Sequence, residues 1–504
     1  MAKGPFAVVA DSLPTRCDGT PWLIQGGMGI AISGSPLARA VSLAGQLGVV
    51  SGTAIDNVFV RRLQNFGVSE SLREVLEKFP VPTIVESALA KFATARRRAG
   101  EPFKTLPMLT HLSKRSSIDL VVLASFVEVA LAKSGHDGII GMNLLTKVQL
   151  PTAAALCGAI LAGVDYILMG AGVPTHIPGT LDQLSRGEAV DTPFSVEGAS
   201  EPLMLHFDPA PYLSGLRLRR PKFLGIVSSN VLATALARRS NGVVDGLVVE
   251  RPNAGGHNAP PRGRYDCDEG GNPIYGPRDD VDYEALTEIG LPYWIGGGIT
   301  SPEDVRAAMD LGAAGVQVGT LFAYCRESGM EPSLRDAVTG AARSGTLTVT
   351  TSTRASSTGY PFKVVSVPGT VSEPTVYASR ERRCDLGYLR VAAVAPNGSV
   401  AYRCAAEPVA AYVRKGGDEN ETTGSACLCN GLMATCGLAQ VRADGREEPP
   451  IVTSGDEIGK IADVMGDRPD YGALDVIEFL SAGLDGVVSP SVRVGDGHPA
   501  HSTV

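Results

Sequence analysis

The chain has 504 residues, 59 of them Gly and 34 Pro, with 44% hydrophobic residues and a formal net charge of −8. Gly and Pro together make up under a fifth of it, below the roughly 25–30% at which low-complexity composition begins, so a globular fold with a large core is expected. The acidic balance excludes a basic nucleic-acid footprint, and the longest apolar stretch, Leu120 to Ala132, is too short to span a bilayer and contains Glu128.

At the N-terminus, Lys3 and the short run Phe6 to Ala10 are followed by Asp11, which does not read as a signal peptide. Continuous β-branched runs ending in Gly then predict eight strands, at about 22–28, 47–53, 138–145, 164–170, 223–228, 244–250, 293–297 and 314–318. Helical periodicity between them predicts helices at 36–46, 151–162, 230–239, 302–311 and 333–343. The start at Ser301-Pro302-Glu303-Asp304 combines a capping Ser, a first-turn Pro and acids at the positive end of the helix dipole. Eight strands alternating with helices predict a (β/α)₈ TIM barrel of the α/β class, with a doubly wound open sheet as the rival.

The expected organisation is a barrel over 1–365 and a Cys-containing C-terminal extension over 366–504. Insertions are expected at about 55–137, with helices at 69–79, 84–98 and 117–134, and at 171–222. A further long loop, 258–281, is rich in Pro, Gly, Asp and Arg. All three follow strand ends on the side where barrels carry their chemistry. The extension is expected to hold a helix at 472–482, with a strand-like echo at Ala482 to Val488 and a disordered end after Val494. Nine scattered Cys fit a reducing compartment, and a cytoplasmic location is the expectation.

Chemistry concentrates in three Gly-rich clusters. Gln25-Gly26-Gly27-Met28-Gly29 closes the first strand, where bare backbone amides can approach a flat or anionic ligand. Gly296-Gly297-Gly298-Ile299 and Gly319-Thr320 close strands seven and eight, whose loops commonly bind phosphate in barrels of this kind. Asn253-Ala254-Gly255-Gly256-His257 follows strand six. It offers an imidazole suited to acid–base work near neutral pH, and Gly255 and Gly256 leave room for a planar ring.

Taken in order, Ile24 to Gly29, Ala254 to His257, Gly297 to Ile299, Gly315 to Thr320 and Ser357-Thr358-Gly359-Tyr360-Pro361-Phe362-Lys363 resemble the nitronate monooxygenase (2-nitropropane dioxygenase-like) family. Flavin-dependent enoyl-acyl carrier protein reductases share these motifs. The resemblance implies a barrel binding FMN non-covalently. Gly27 and Met28 would lie by the ring system, with Asn143 and Ser228 as further contacts and Gly255 and Gly256 beside it. Gly297, Gly298, Gly319 and Thr320 would hold the phosphate, with Gln317 nearby, and His257 would be catalytic. The implied reaction is oxidation of a nitronate or nitroalkane-type small molecule with O₂. The alternatives are an NAD(P)H-dependent enoyl reductase acting on acyl groups carried by an acyl carrier protein, and a non-catalytic flavin-binding or scaffold subunit. Homo-oligomer formation is left open. The chain has Asn253 where the family often has an acid.

Two further sets bear on function. Cys384, Cys404, Cys427 and Cys429 could supply four thiolates to a structural zinc, the alternative being small buried hydrophobes. His111, His176 and His206 fall in the insertions as candidates for the substrate side, whereas His136 precedes strand three and reads as structural.

Overall fold

Eight parallel strands form one sheet that closes on itself. In chain order they are β1 Leu23–Gln25, β2 Gly48–Ser51, β3 Ile140–Leu145, β4 Tyr166–Gly170, β5 Lys222–Val227, β6 Gly246–Glu250, β7 Tyr293–Gly296 and β8 Gly315–Val318. The computed structural model describes residues 14–15, 20–213, 215, 218–484 and 489–490. The neighbour order is β1-β8-β7-β6-β5-β4-β3-β2, and every ladder is parallel. The ends meet where Leu47 N donates to Leu23 O (3.2 Å) and Gln25 N donates to Leu47 O (3.0 Å). The fold is therefore a closed (β/α)₈ barrel and not an open doubly wound sheet.

The strands are apolar on both faces because both are covered. Ile24, Val49, Leu168, Leu224, Val248 and Trp294 point inward and fill the barrel. Their neighbours Leu23, Val50, Ile167, Phe223, Leu247 and Ile295 face the helices. Trp294, almost fully buried, donates its indole N–H to Pro21 O (2.8 Å), so the large ring satisfies its one polar atom. The helix over Pro302–Asp310 starts as its sequence dictates, with Ser301 Oγ accepting from Asp304 N (3.2 Å).

The insertion after β2 contains four helices, Ile55–Phe66, Glu70–Glu77, Pro82–Phe92 and Arg115–Lys133. The last is the barrel helix between β2 and β3. It packs against Ser35–Leu43 and Thr152–Leu161, and the other three cover its outer side. This layering explains an apolar helix that still carries Glu128. The buried carboxylate accepts from Ser35 N (2.6 Å) at the start of the neighbouring helix and pairs with Arg62 (2.9 Å). The second insertion holds the helix Ile177–Ser185 and the antiparallel hairpin Val190–Phe194 with Leu203–Phe207.

The boundary drawn at 365 does not separate two packing units. After β8 the chain makes a short helix and Pro332–Arg343, then crosses the barrel mouth, and returns to the barrel wall only at the helix Ala473–Ser481. That helix packs against Ser35–Leu43 and Pro302–Asp310, the place of the eighth barrel helix. Val452, Ile458, Tyr471, Val476 and Leu480 share one continuous core with the barrel. The last barrel helix is thus about 150 residues from its strand, a separation that no local pattern marks. The expected strand echo at 482–488 and the terminus after Val494 lie largely outside the described residues.

Leu480→Ala should cost about 2–5 kcal/mol, as for a fully buried Leu, whereas the partly exposed Leu474→Ala should change stability by no more than about 0.5 kcal/mol. Urea midpoints compare the two. Equal shifts would show that this helix is not part of the barrel wall.

Candidate functional site

The strands end at one face, and the loops beyond them enclose a cavity of about 730 Å³, within the range of small-molecule sites. The first wall is the turn after β1. Gln25, fully buried, accepts from Val49 N at its Oε1 (3.0 Å) and donates from Nε2 to Ser33 Oγ (2.8 Å). Ser33 Oγ in turn accepts from Met28 N (2.9 Å) and donates to Gly26 O (3.0 Å). These bonds hold Gly27 and Met28 against the cavity. A side chain at Gly27 would collide with Asn143, whose amide donates to Gly27 O (3.0 Å).

A second wall, continuing from the first, is built by β8, β7 and β6. Gly297 and Gly298 have φ of +93° and +71°, a left-handed backbone suited to Gly. A Cβ at Gly298 would lie 2.3 Å from Asn253 Nδ2. The Oδ1 of Asn143, the Oδ1 of Asn253 and the Oε1 of Gln317 are buried acceptors without a hydrogen-bond partner among the described residues, and all three side chains line the cavity. Buried polar atoms are rarely left unpaired, so the cavity fits a ligand that brings N–H or O–H donors between glycine surfaces.

The third wall comes from beyond β8. The hairpin Val349–Ser352 with Phe362–Val365 folds over the β6 loop: Lys363 N donates to Gly256 O (3.0 Å) and Asn258 N to Pro361 O (2.9 Å). Residues 453–456 then lie across the loops of β6 and β8. Thr453 Oγ1 accepts from Gly256 N (3.0 Å), Gly455 N donates to Thr320 Oγ1 (3.0 Å), and Asp456 N donates to Asn253 O (3.1 Å). Lys363, 2% exposed, clamps this crossing by donating to Asp456 (2.7 and 2.9 Å) and Thr351 (2.8 Å).

Twelve residues singled out from the sequence line this one cavity: Gly27, Met28, Asn143, Ser228, Gly255, Gly256, His257, Gly297, Gly298, Gln317, Gly319 and Thr320. Two of them also bond elsewhere in the chain: Thr320 Oγ1 accepts from Gly455 N (3.0 Å), and the Ser228 backbone carbonyl accepts from Arg262. The third wall, with Tyr388, Leu428, Cys429 and Ser454, was not legible in the sequence, because its contacts join positions more than 100 residues apart. Lys147 and Glu250 were also missed. Their signal was positional: a charged residue just past β3 and an acid at the end of β6.

His257 is the best-placed group for chemistry. Its Nε2 lies 2.7 Å from Ser356 Oγ, which lies 2.8 Å from Thr358 Oγ1, and its ring meets Phe362 edge-on. Lys147 extends this chain, with Nζ 3.5 Å from Thr358 Oγ1 and 3.2 Å from the Tyr360 ring centroid. Burial and then the Lys147 charge push His257 down to about 3, so it is a neutral imidazole at ordinary pH and not the neutral-range acid–base of the sequence expectation. Burial pushes Lys147 down to about 7, with Glu250 opposing, and Glu250 up to about 7, with Lys147 opposing.

The remaining candidates lie elsewhere. His111 stacks with Phe194 and Tyr402, His176 caps a helix, and His206 pairs with Asp191 on the hairpin. None of the three lines the cavity. His136 bonds Ala132 O (2.7 Å). The zinc expectation finds no support: among the described residues, no group of three or more His, Cys, Asp or Glu is placed to hold a metal. Cys404, Cys427 and Cys429 pack in an apolar cluster with Ile30, Val58 and Met433, and burial raises the pKa of these thiols and of Cys384.

A closed (β/α)₈ barrel with a glycine-walled cavity at its strand ends is thus the class that fold and site define. Residues 216–366 match the family model described as nitronate monooxygenase. The nitronate monooxygenase of Pseudomonas aeruginosa is 37% identical over 141 residues, 26% of this chain and 38% of that protein. The nitronate monooxygenase of Paraburkholderia phytofirmans is 34% identical over 141 residues, 27% of this chain and 36% of that protein. The matches therefore span little more than a third of these relatives' length. Among solved structures, FabK from Thermotoga maritima aligns over 91% of both chains at 17% identity and a TM-score of 0.44. A nitroalkane oxidase from Streptomyces ansochromogenes aligns over 92% of this chain and 96% of that one, at 14% identity and a TM-score of 0.45. The similarity to the nitronate monooxygenase family is carried by this segment, residues 216–366.

The neutral His257 has a consequence for stability. In the unfolded chain it takes up a proton as pH falls through its ordinary 6.5, whereas in the folded protein it resists until about 3. The unfolded state binds more protons in that window, so this group's contribution to stability falls as pH drops from 6.5 toward 3. Melting temperatures should therefore decline less steeply on acidification in His257→Phe than in the wild type. Equal slopes would refute the buried neutral assignment.

Proposed function

We propose that the protein is an FMN-dependent oxidoreductase of the nitronate monooxygenase type, oxidising a small nitronate with O₂. The observation that carries this reading is the neutral, cavity-facing His257, fixed by Ser356 in the cavity that Gly27, Gly297 and Gly298 also line. The residues fit the flavin. Asn143, Asn253 and Gln317 offer unpaired acceptors to the flavin's one ring N–H and to its ribityl hydroxyls, and the glycines leave room for the flat ring. The loops of β7 and β8 would hold the phosphate.

When bound, the flavin supplies the redox chemistry, accepting the substrate's electrons and passing them to O₂. The protein's part is to bind, orient and shield. A neutral imidazole is a weak base, which favours a substrate that arrives already as an anion over one whose C–H must first be ionised. His257 can then hydrogen-bond the nitro oxygens. The hairpin over the β6 loop and the crossing at 453–456 keep water from the reacting atoms.

The enoyl reductase reading keeps one observation in its favour. Leu389, Leu428, Leu432, Val173 and Val231 give the cavity an apolar side that would suit an acyl chain. Anaerobic mixing separates the two. Oxygen uptake with alkyl nitronates, without flavin bleaching by NADH or NADPH, supports the oxidase; rapid bleaching by either nicotinamide supports the reductase. A colourless protein that cannot be reconstituted with FMN would sink both and leave the non-catalytic reading.

His257→Ala should retain FMN and lose about 10²-fold or more in turnover; unchanged turnover would remove His257 from the mechanism. Gly298→Ala, which drives a methyl group into Asn253, should lower the flavin content of the purified protein. Wild-type flavin content would show that this turn does not shape the site.

A further inference from the structure

The cavity contains a second polar group that the reading above leaves unused. Lys147 stands two residues past the end of β3, on a turn fixed by Thr146 N donating to Gly170 O (2.8 Å) and Val148 N to Leu145 O (3.0 Å). This places its side chain among the strand ends, lining the same cavity as Asn143 and the β6 loop. An ammonium has three N–H donors. Here one hydroxyl lies at the limit of hydrogen bonding, Thr358 Oγ1 at 3.5 Å, and the face of Tyr360 covers another side at 3.2 Å. Lys147 makes no ion pair among the described residues. Glu250, the carboxylate that influences it, lines the cavity but acts from beyond ion-pair distance.

A half-buried cation with spare donors and no paired carboxylate is costly unless something compensates it. Two features identify the compensating chemistry. The hydroxyls of Thr358 and Ser356 link the ammonium to His257, so one ligand group placed between them would meet donors from both sides. The Lys147 charge also opposes protonation of His257, and an anion in the intervening space would relieve that repulsion. Burial holds Lys147 and Glu250 near the same titration point, so an arriving negative charge favours the ammonium form.

We propose that Lys147 is a substrate-contacting residue whose ammonium recognises the paired oxygens of a planar anion, so that the site selects nitronate- or carboxylate-shaped anions over neutral analogues. Glu250 is its internal competitor. The carboxylate tempers the ammonium in the empty site and is outcompeted by a ligand that reaches it directly. This rests on the nitronate reading for the identity of the natural anion, but the selection of charge and shape does not depend on turnover.

The test uses the FMN-loaded protein and two non-oxidisable probes: butyrate, which carries the same planar pair of oxygens as a nitronate, and butyramide, its neutral counterpart. Binding is followed by calorimetry at pH 7. Wild type should bind butyrate at least tenfold more tightly than butyramide. Lys147→Met should weaken butyrate at least tenfold while changing butyramide less than twofold, and Lys147→Arg should recover butyrate to within about threefold of wild type. Glu250→Gln should tighten butyrate. For an alkyl nitronate, Lys147→Met should raise KM by the factor lost in butyrate binding and change kcat less than threefold. Butyrate binding within twofold of wild type in Lys147→Met would overturn the proposal, as would parallel loss of both probes or weaker butyrate binding in Glu250→Gln. Should Lys147→Met fail to fold, the Arg and Gln variants decide alone. Nitronate oxidation with butyrate binding indifferent to Lys147 would sink this inference and leave the proposed function standing. Charge-selective butyrate binding in a protein inert toward nitronates would do the reverse.

Discussion

Everything about the site depends on closing the barrel at the seam between β1 and β2. β1 has only three residues, and its backbone joins the next strand through Leu23, Gln25 and Leu47. Two buried side chains complete the seam where backbone pairing runs out: Gln46 Oε1 accepts from Leu23 N (3.2 Å) and Gln25 Oε1 accepts from Val49 N (3.0 Å). A parallel ladder leaves unsatisfied groups at any open edge, and these amides satisfy them inside a dry core. The same Gln25 anchors Ser33, which pins the turn carrying Gly27 and Met28. Closure and cavity therefore share one set of hydrogen bonds.

Once closed, the barrel exposes eight strand ends around one mouth, and the rest of the chain is organised by the need to cover it. The β6 loop and the hairpin beyond β8 pair through backbone bonds at Gly256–Lys363 and Asn258–Pro361. The insertion after β2 and the extension meet on the far side: Tyr388 donates to Asp56, and Asn57 Nδ2 donates to Tyr388 OH (2.7 Å). Arg442 binds Asp385 and Glu448 in buried ion pairs that stiffen the extension where it crosses. Buried pairs of this kind add little net stability but penalise any arrangement that separates them, which suits a cover that must sit in one register.

Enclosure also sets the electrostatics. Burial of these side chains disfavours the charged form of each titratable group, which depresses His257 and Lys147 and raises Glu250. Lys147 and His257 lie on the loops after β3 and β6, and Glu250 ends β6; they are brought together only by the barrel's curvature. The departure from an acid to Asn253 fits this picture. Its neutral amide packs against Gly297 and Gly298, where another buried carboxylate would add to the charge already present at Glu250.

The sequence by itself determined the eight strands, most of the barrel helices and the glycine clusters at their ends, because these are written in local apolar runs, caps and turn residues. It also placed His257 and the glycines of β1, β7 and β8 on the functional face, since strand polarity in a parallel barrel fixes which end carries the loops. Only the tertiary structure decided that Ala473–Ser481 completes the barrel wall, that Thr453 to Asp456 covers the cavity, and that Lys147 and Glu250 face His257. It also placed Cys404, Cys427 and Cys429 together in an apolar cluster. The physical reason is the same in each case. These outcomes depend on burial and on contacts between residues 100 or more positions apart, and both arise from how the chain closes and covers the barrel, which local residue patterns do not encode.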